Sequence, residues 1–134
     1  MLDSTAVIAA EREGLNARRT LEHIVVRSGN DDLALSVVTV VELAHGIARA
    51  DSPERRARRQ QFLDELLSAV PVQPVTVPIA LRAGRIDGEA QAQGIRIPLG
   101  DLLIGASALE LGYTVGTANL RHLRLIPGLT VVQL

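Results

Sequence analysis

The 134-residue chain contains no cysteine. That excludes disulfides, thiolate metal sites and cysteine nucleophiles, and it agrees with a cytoplasmic setting. Lysine is missing too, so all 14 basic residues are arginine. Schiff-base chemistry, a P-loop lysine and a lysine general base are thereby ruled out, while the arginine usage itself has a plain source in GC-rich coding. Aromatic side chains are down to Phe62 and Tyr113, too few to grip a single strand by stacking its bases on rings. The formal net charge is −1, so no global field draws in a polyanion and any such contact falls to local patches. No apolar run approaches the ~20 residues of a membrane span; Glu42, Asp101 and Glu110 interrupt the best candidates. The opening residues do not have the charged-then-apolar pattern of a secretory leader.

What is present is 47% hydrophobic residues, enough for the buried core of one compact domain over 1–134. Met1-Leu2 reads as a very short strand, with a helix from about Thr5. "LNARRTLEHIVVRSG" is amphipathic and ends at Gly29, a helix stop. "LALSVV" has the apolar, β-branched character of a buried strand. "TVVELAHGIARA" then turns helical, with Thr39 placed to cap it. In "DSPERRARRQQFLDELLSAV", Asp51 or Ser52 caps and Pro53 takes the first helical position; Phe62, Leu63, Leu66, Leu67 and Val70 share one face. "VQPVTV" is a short strand whose prolines mark a sheet edge. A helix runs from Pro78 to Gly94, and another opens at Asp101 and stops at Gly112. "YTVGTA" and "TVVQL" are strands joined by the irregular "NLRHLRLIPGL". Strands separated by helices imply crossovers, hence an α/β fold: a three-layer α/β/α sandwich around a mostly parallel sheet.

Open parallel sheets bind ligands at the carboxyl ends of their strands, where strand order reverses. Four polar residues fall where a strand hands over to a helix. Asp3 follows the first strand, Glu42 lies on the first turn after "ALSVV", Asp101 opens its helix, and Asn119 follows "TVGTA". Each alone has an ordinary explanation: Asp101 as a cap, Glu42 as dipole compensation, Asp3 as a terminal residue, Asn119 as a turn former. Brought together, three carboxylates repel, by about 4 kcal/mol per pair at ~4 Å and an effective dielectric of ~20. A divalent cation reverses that sign, and oxygen-only ligands suit Mg2+ or Mn2+. Such a centre supports phosphodiester hydrolysis through metal-activated water. Spacing alone leaves both readings open.

The stretches "LDSTAVIAAE" (2–11), "SVVTVVELAHGIARA" (36–50), "GIRIPLGDLLIGASALELG" (94–112) and "TVGTANLRHLRLIPGL" (114–129) together resemble a PIN domain, specifically the VapC-type ribonuclease toxins of toxin–antitoxin pairs. The resemblance runs through the whole chain. It implies the same α/β/α sandwich and a divalent-metal-dependent endoribonuclease acting on RNA. It also implies a homodimer, inhibited by a cognate VapB-like antitoxin. Residue by residue, Asp3, Glu42 and Asp101 match the family's three acids, with Asp3 and Asp101 anchoring the metal. Asn119 stands at a fourth position that is aspartate or asparagine in the family, able to orient water but not to act as a base. Ser4, Thr5, Thr39 and Thr117 stand where the family has small hydroxyls that orient the carboxylates. Two departures are visible. Only Met1 and Leu2 precede Asp3, so either the true start lies upstream or the sheet edge beside Asp3 is less firmly held. Leu123 stands where an aromatic is usual.

Arg96, Arg121 and Arg124 lie close in sequence to the acids and are the expected substrate contacts. The run "ERRARRQQ" at 54–61 reads equally as a phosphate grip and as a solvated helix face. His45, three residues after Glu42, matches di-iron ligand spacing but lacks a second copy, and reads as a partly buried polar residue. His122 reads as a loop hydrogen-bond partner or a proton donor, His23 as surface. Asp87 and Glu89 read as helix surface. Two other classes compete. A phospho-acceptor signalling domain needs a lysine that this chain lacks. A catalytically weak relative that binds RNA or a partner is separated by metal titration. The apolar faces at 15–28 and 52–70 are expected to receive an amphipathic antitoxin helix.

Overall fold

A computed structural model describes residues 1–30 and 32–134. Its organising element is also its shortest. Leu2 bridges in parallel to Leu35 on one side and to Gly116 on the other. The backbone N–H of Leu2 donates to the Ala34 carbonyl at 2.8 Å, and that of Asp3 donates to the Gly116 carbonyl at 2.9 Å. Leu35 lies in β1 (Leu35–Ser36) and Gly116 in β3 (Val115–Thr117). β1 pairs outward with β2 (Val72–Gln73), and β3 with β4 (Val131–Gln133), all in parallel. The spatial order is therefore β2-β1-Leu2-β3-β4, and the chain direction of strand addition reverses beside Leu2. The expected weak edge at Asp3 is not found: the Met1–Asp3 segment is the middle of the sheet, held on both sides.

Because strand side chains alternate, successive residues at the centre face opposite layers. Met1 joins a core with Ile79, Leu102, Ile104, Val115 and Ile126. Leu2 joins one with Val7, Ile24, Leu35, Phe62 and Leu66. Helices α1 (Ser4–Arg12), α2 (Ala17–Ser28) and α4 (Pro53–Ala69) supply the second core; α5 (Val77–Ala92) and α6 (Leu99–Leu111) supply the first. α3 (Val37–Ala48) straddles them, with Val38 against one core and Val40 and Leu43 against the other. This is the expected α/β/α sandwich. Among the described residues no helix is long and apolar enough to cross a membrane.

Most element boundaries follow local chemistry. Gly29 and Gly112 end α2 and α6 in the left-handed region at φ 67° and 76°, which only glycine adopts without strain. Ser52, not Asp51, caps α4 by accepting from the Arg55 N–H. The 70s helix starts at Val77, with Thr76 as cap and Gln93 rather than Gly94 closing it. β2 is an edge strand as its prolines require. Leu67 leaves the buried face of α4 and is 39% exposed.

Three expectations need correcting. α1 begins at Ser4 because Asp3 itself caps it. "LALSVV" yields only Leu35–Ser36 as strand, since the Ser36 Oγ accepts from the Val38 N–H and starts α3 at once. Thr39 therefore does not cap that helix. It is fully buried within it, and its hydroxyl donates to the Leu2 carbonyl at 3.0 Å. Thr39 thus fastens α3 to the central strand. Replacing it with valine keeps the shape and removes that buried hydrogen bond. Thr39→Val should cost about 1 kcal/mol, readable as a lower urea midpoint with an unchanged slope.

Candidate metal centre

Asp3 leaves the central strand at its carboxyl end, at the point where strand order reverses. It is 3% exposed, a burial that a carboxylate tolerates only when its oxygens are matched by donors. They are. Oδ1 accepts from the Ser4 N–H at 2.8 Å, the helix-capping bond. Oδ2 lies 2.7 Å from the Thr5 hydroxyl and 2.8 Å from the Thr117 hydroxyl. Those hydroxyls are themselves fixed, Thr5 by the Ala118 N–H and Thr117 by the Asn119 N–H. Two parts of the chain far apart in sequence, the start of α1 and β3, thus meet on one carboxylate.

Glu42 comes to the same rim from α3. It sits on the second turn, because α3 begins at Val37 and has no acid in its first turn. Dipole compensation is therefore not its role. The Ser4 hydroxyl donates to Glu42 Oε2 in a short hydrogen bond. Oε1 lies over Gly100 so closely that a Cβ built there would stand 2.7 Å from it. Gly100 is the second residue of α6, whose start at Pro98 has no side-chain cap. An anion beside that uncapped end is favoured by the unpaired N–H groups and the helix dipole.

Asp101 occupies the first turn of α6 but caps nothing. Its Oδ2 lies 2.9 Å from His122 Nδ1. Burial pushes Asp101 above its ordinary carboxylate value and the Asp3 charge adds to this, while the His122 contact works the other way. Glu42 is raised in the same sense, by burial first, against the Ser4 hydrogen bond, with the charges of Asp3 and Asp101 contributing. Glu42 therefore feels both aspartates and Asp101 feels Asp3, as like charges in a partly dry site must.

The remaining candidates divide. Ser4, Thr5 and Thr117 touch the acids, whereas Thr39 does not. Asn119 is exposed, and its amide oxygen accepts from the Arg121 N–H at 3.1 Å; it closes its own turn rather than joining the pocket. Arg96, Arg121 and Arg124 are all exposed; Arg96 and Arg121 border one cleft with His122, which Arg124 does not line. His45 is exposed rather than partly buried, and His23 is on the surface. In the arginine run, Arg59 bonds the Gly46 carbonyl at 2.7 Å and pairs with Glu11 at 3.5 Å, and Arg55 pairs with Asp51; both are engaged by the protein. Two features escaped sequence reasoning. The His122–Asp101 contact joins residues 21 apart, with no local signal. Gly100 did give one: a glycine in a helical first turn costs about 1 kcal/mol relative to alanine, and such a cost points to a close approach.

The donor set fits a hard dication in kind, being carboxylate oxygen throughout. Among the described residues, Glu42 Oε1 and Asp101 Oδ1 take no hydrogen bond from the protein, so both are open to an electrophile. Among those residues, too, no three His, Asp or Glu side chains are already arranged about one ion position; Ser4, Thr5, Thr117 and His122 hold the carboxylates instead.

Comparison with known proteins reaches the same fold independently. The PIN domain family model matches residues 1–126. Ribonuclease VapC10 of Mycobacterium tuberculosis is 34% identical over 122 residues, covering 91% of this chain and 84% of that protein. Ribonuclease VapC1 of Rickettsia felis is 24% identical over 132 residues, covering 98% and 93%. Among solved structures, VapBC2 from Rickettsia felis bound to a promoter DNA fragment superposes with a TM-score of 0.84 at 22% identity, covering 100% of this chain and 97% of that one. DNA-bound VapBC from Salmonella typhimurium gives 0.81 at 25%, covering 99% and 96%.

Two outcomes follow from the geometry. Gly100→Ala should leave the melting temperature nearly unchanged, since the clash falls on the movable end of Glu42, yet displace that carboxylate; a crystal structure of the variant checks it. Because the folded state holds the Asp101 proton more tightly than the unfolded chain, the ionised group costs stability as pH rises through the carboxylate range. In the presence of chelator, Asp101→Asn should therefore raise the melting temperature at neutral pH, and the gain should fade towards acid pH, where both states are protonated.

Proposed function

The chain belongs to the PIN domain family, and on that premise we propose that it is a divalent-metal-dependent endoribonuclease, the toxin of a toxin–antitoxin pair. The observation that supports this most is the convergence of Asp3, Glu42 and Asp101 at the switch point of the sheet, with burial and mutual charge raising Glu42 and Asp101. A chain does not crowd acids at a rim for stability. Asp3 and Asp101 would hold Mg2+ or Mn2+, with Glu42 completing the set. Once bound, the ion would neutralise their charge and lower the pKa of a water for attack on an RNA phosphodiester.

The residues of the chain do the rest. Thr5 and Thr117 fix the rotamer of Asp3, Ser4 fixes Glu42, and His122 fixes Asp101, so that little reorganisation is needed when substrate arrives. Burial raises the Glu42 carboxyl above its ordinary value, which makes it a stronger proton acceptor than an exposed carboxylate. Asn119 has its amide oxygen taken by the Arg121 N–H, so only its amide NH2 is left for orienting water. Arg96 and Arg121, which border the cleft that includes His122, and Arg124, close to them in sequence, supply the positive charge for the substrate phosphates.

The antitoxin reading rests on an apolar groove between α2 and α4. The groove encloses about 830 Å3 and is lined by Leu21, Val25, Val26 and Ala69, with Val26 82% exposed. An amphipathic helix of a VapB-like antitoxin fits such a surface. Val77 and Leu81, one turn apart on α5 and both largely exposed, are the apolar pair available to a second copy in a homodimer.

The decisive experiment is cleavage of single-stranded RNA by purified protein with Mn2+ and with chelator. Cleavage should require the ion. Asp3→Asn and Asp101→Asn should each lower the rate by more than about a hundredfold while remaining folded. Mn2+ should raise the melting temperature of the wild type, by linkage, and not that of Asp101→Asn. An intact chain that neither binds Mn2+ nor cuts RNA would refute the proposal. Co-expression with the neighbouring gene product should give a complex that Val25→Asp disrupts.

A further inference from the structure

Beside the acids lies an open cleft of about 660 Å3 between the end of α5, the 96–99 segment and the 121–122 loop. Its floor includes Ile97, Pro98 and Leu99, and Leu99 is 69% exposed, unusual for a leucine that no neighbour covers. Arg96 and Arg121 stand on its walls. Neither has a carboxylate partner within salt-bridge distance among the described residues. His122 belongs to the cleft and, through its 2.9 Å contact, to Asp101 as well. Gln91 and Asp87 also line the cleft, and Gln91 donates to Asp87 at 3.0 Å.

An apolar floor flanked by two unpaired guanidinium groups, continuous with an acidic centre, matches one ligand chemistry: a flat apolar base joined to a phosphate. We propose that this cleft is a nucleotide subsite for single-stranded RNA, holding one unpaired base against Pro98 and Leu99 and its phosphate between Arg96 and Arg121. The subsite rests on the ribonuclease reading of the adjacent acids and goes beyond it, because it gives the enzyme a base-sensing position next to the cut. With no Phe, Tyr or Trp lining the cleft, the aliphatic floor takes the place of a large stacking ring. A duplex cannot enter, since its bases are already paired and stacked.

The test is anisotropy of a short fluorescein-labelled single-stranded RNA in chelator, where no cutting occurs, followed by cleavage in Mn2+. All three cleft residues to be changed are exposed, so melting temperatures should hold. Arg96→Gln and Arg121→Gln should each raise Kd roughly tenfold, the size of one lost charge-assisted hydrogen bond. Each should also lower the slope of log K against log salt by about 0.7. Leu99→Asp should weaken single-strand binding, and in a scan of single abasic sites one position beside the cut should matter to the wild type and not to Leu99→Asp. If the wild type cuts RNA and the three variants bind and cut as it does, the subsite is refuted while the nuclease stands. If the wild type neither binds nor cuts RNA, both fall. If the variants lose the antitoxin and keep RNA binding, the cleft serves the protein partner and the subsite is refuted.

Discussion

The structure depends on making a buried charge tolerable. Asp3 is placed at the centre of the sheet by the single bridging residue Leu2, with almost no water to solvate it. Its carboxylate survives there because an amide from its own helix and two hydroxyls, one of them from a strand more than a hundred residues away, face it together. Removing any of these donors leaves a buried acceptor short of its partner. The same setting bears on the neighbours: burial raises Glu42 and Asp101 first, and the Asp3 charge adds to it. Stability and site are therefore one problem. The fold places acids where they are unwelcome, and hydroxyls restrain them without discharging them.

How much of this was visible in the amino-acid order depends on the range of the interaction. Capping chemistry is local, so Ser52, Pro53, Gly29 and Gly112 announce the ends of their helices. The alternation of strand and helix announces a parallel sheet, and the prolines around Val72 announce its edge. Thr39 misleads because its hydroxyl has two possible uses: a serine three residues earlier takes the cap, freeing Thr39 for a tertiary bond. Val37 and Val38 mislead because β-branched residues favour strands intrinsically, yet the tertiary start of α3 overrides that preference. The grouping of the acids was legible only through the order of four motifs. The partners that hold the acids, His122 above all, come from loops whose course no local pattern dictates.

Gly100 and Asn119 form an instructive contrast. Asn119 has the right chemistry at the right motif position, but its amide is used by the adjacent backbone. Gly100 has no chemistry at all, and the site needs it because Glu42 occupies the space a side chain would fill. Residue type at a motif position states what a side chain could do. Which competing hydrogen bonds and which neighbours surround it decides what it does. The arginines divide in the same way: Arg55 and Arg59 of α4 are engaged by Asp51, Glu11 and the Gly46 carbonyl, while Arg96 and Arg121 have no carboxylate partner among the described residues.

The placement of the central strand has a consequence for biosynthesis. Leu2 must wait for Gly116, and Asp3 for Thr117, before either has its partners on that side. Contacts spanning so much of the chain form late, because closing so large a loop precedes any reward from pairing. On a ribosome the Asp3 carboxylate and the Thr117 hydroxyl that holds it meet only after more than a hundred further residues have been joined to the chain. A chain that stops short of β3 leaves Asp3 without one of its donors, so the acidic pocket is withheld until that strand is made.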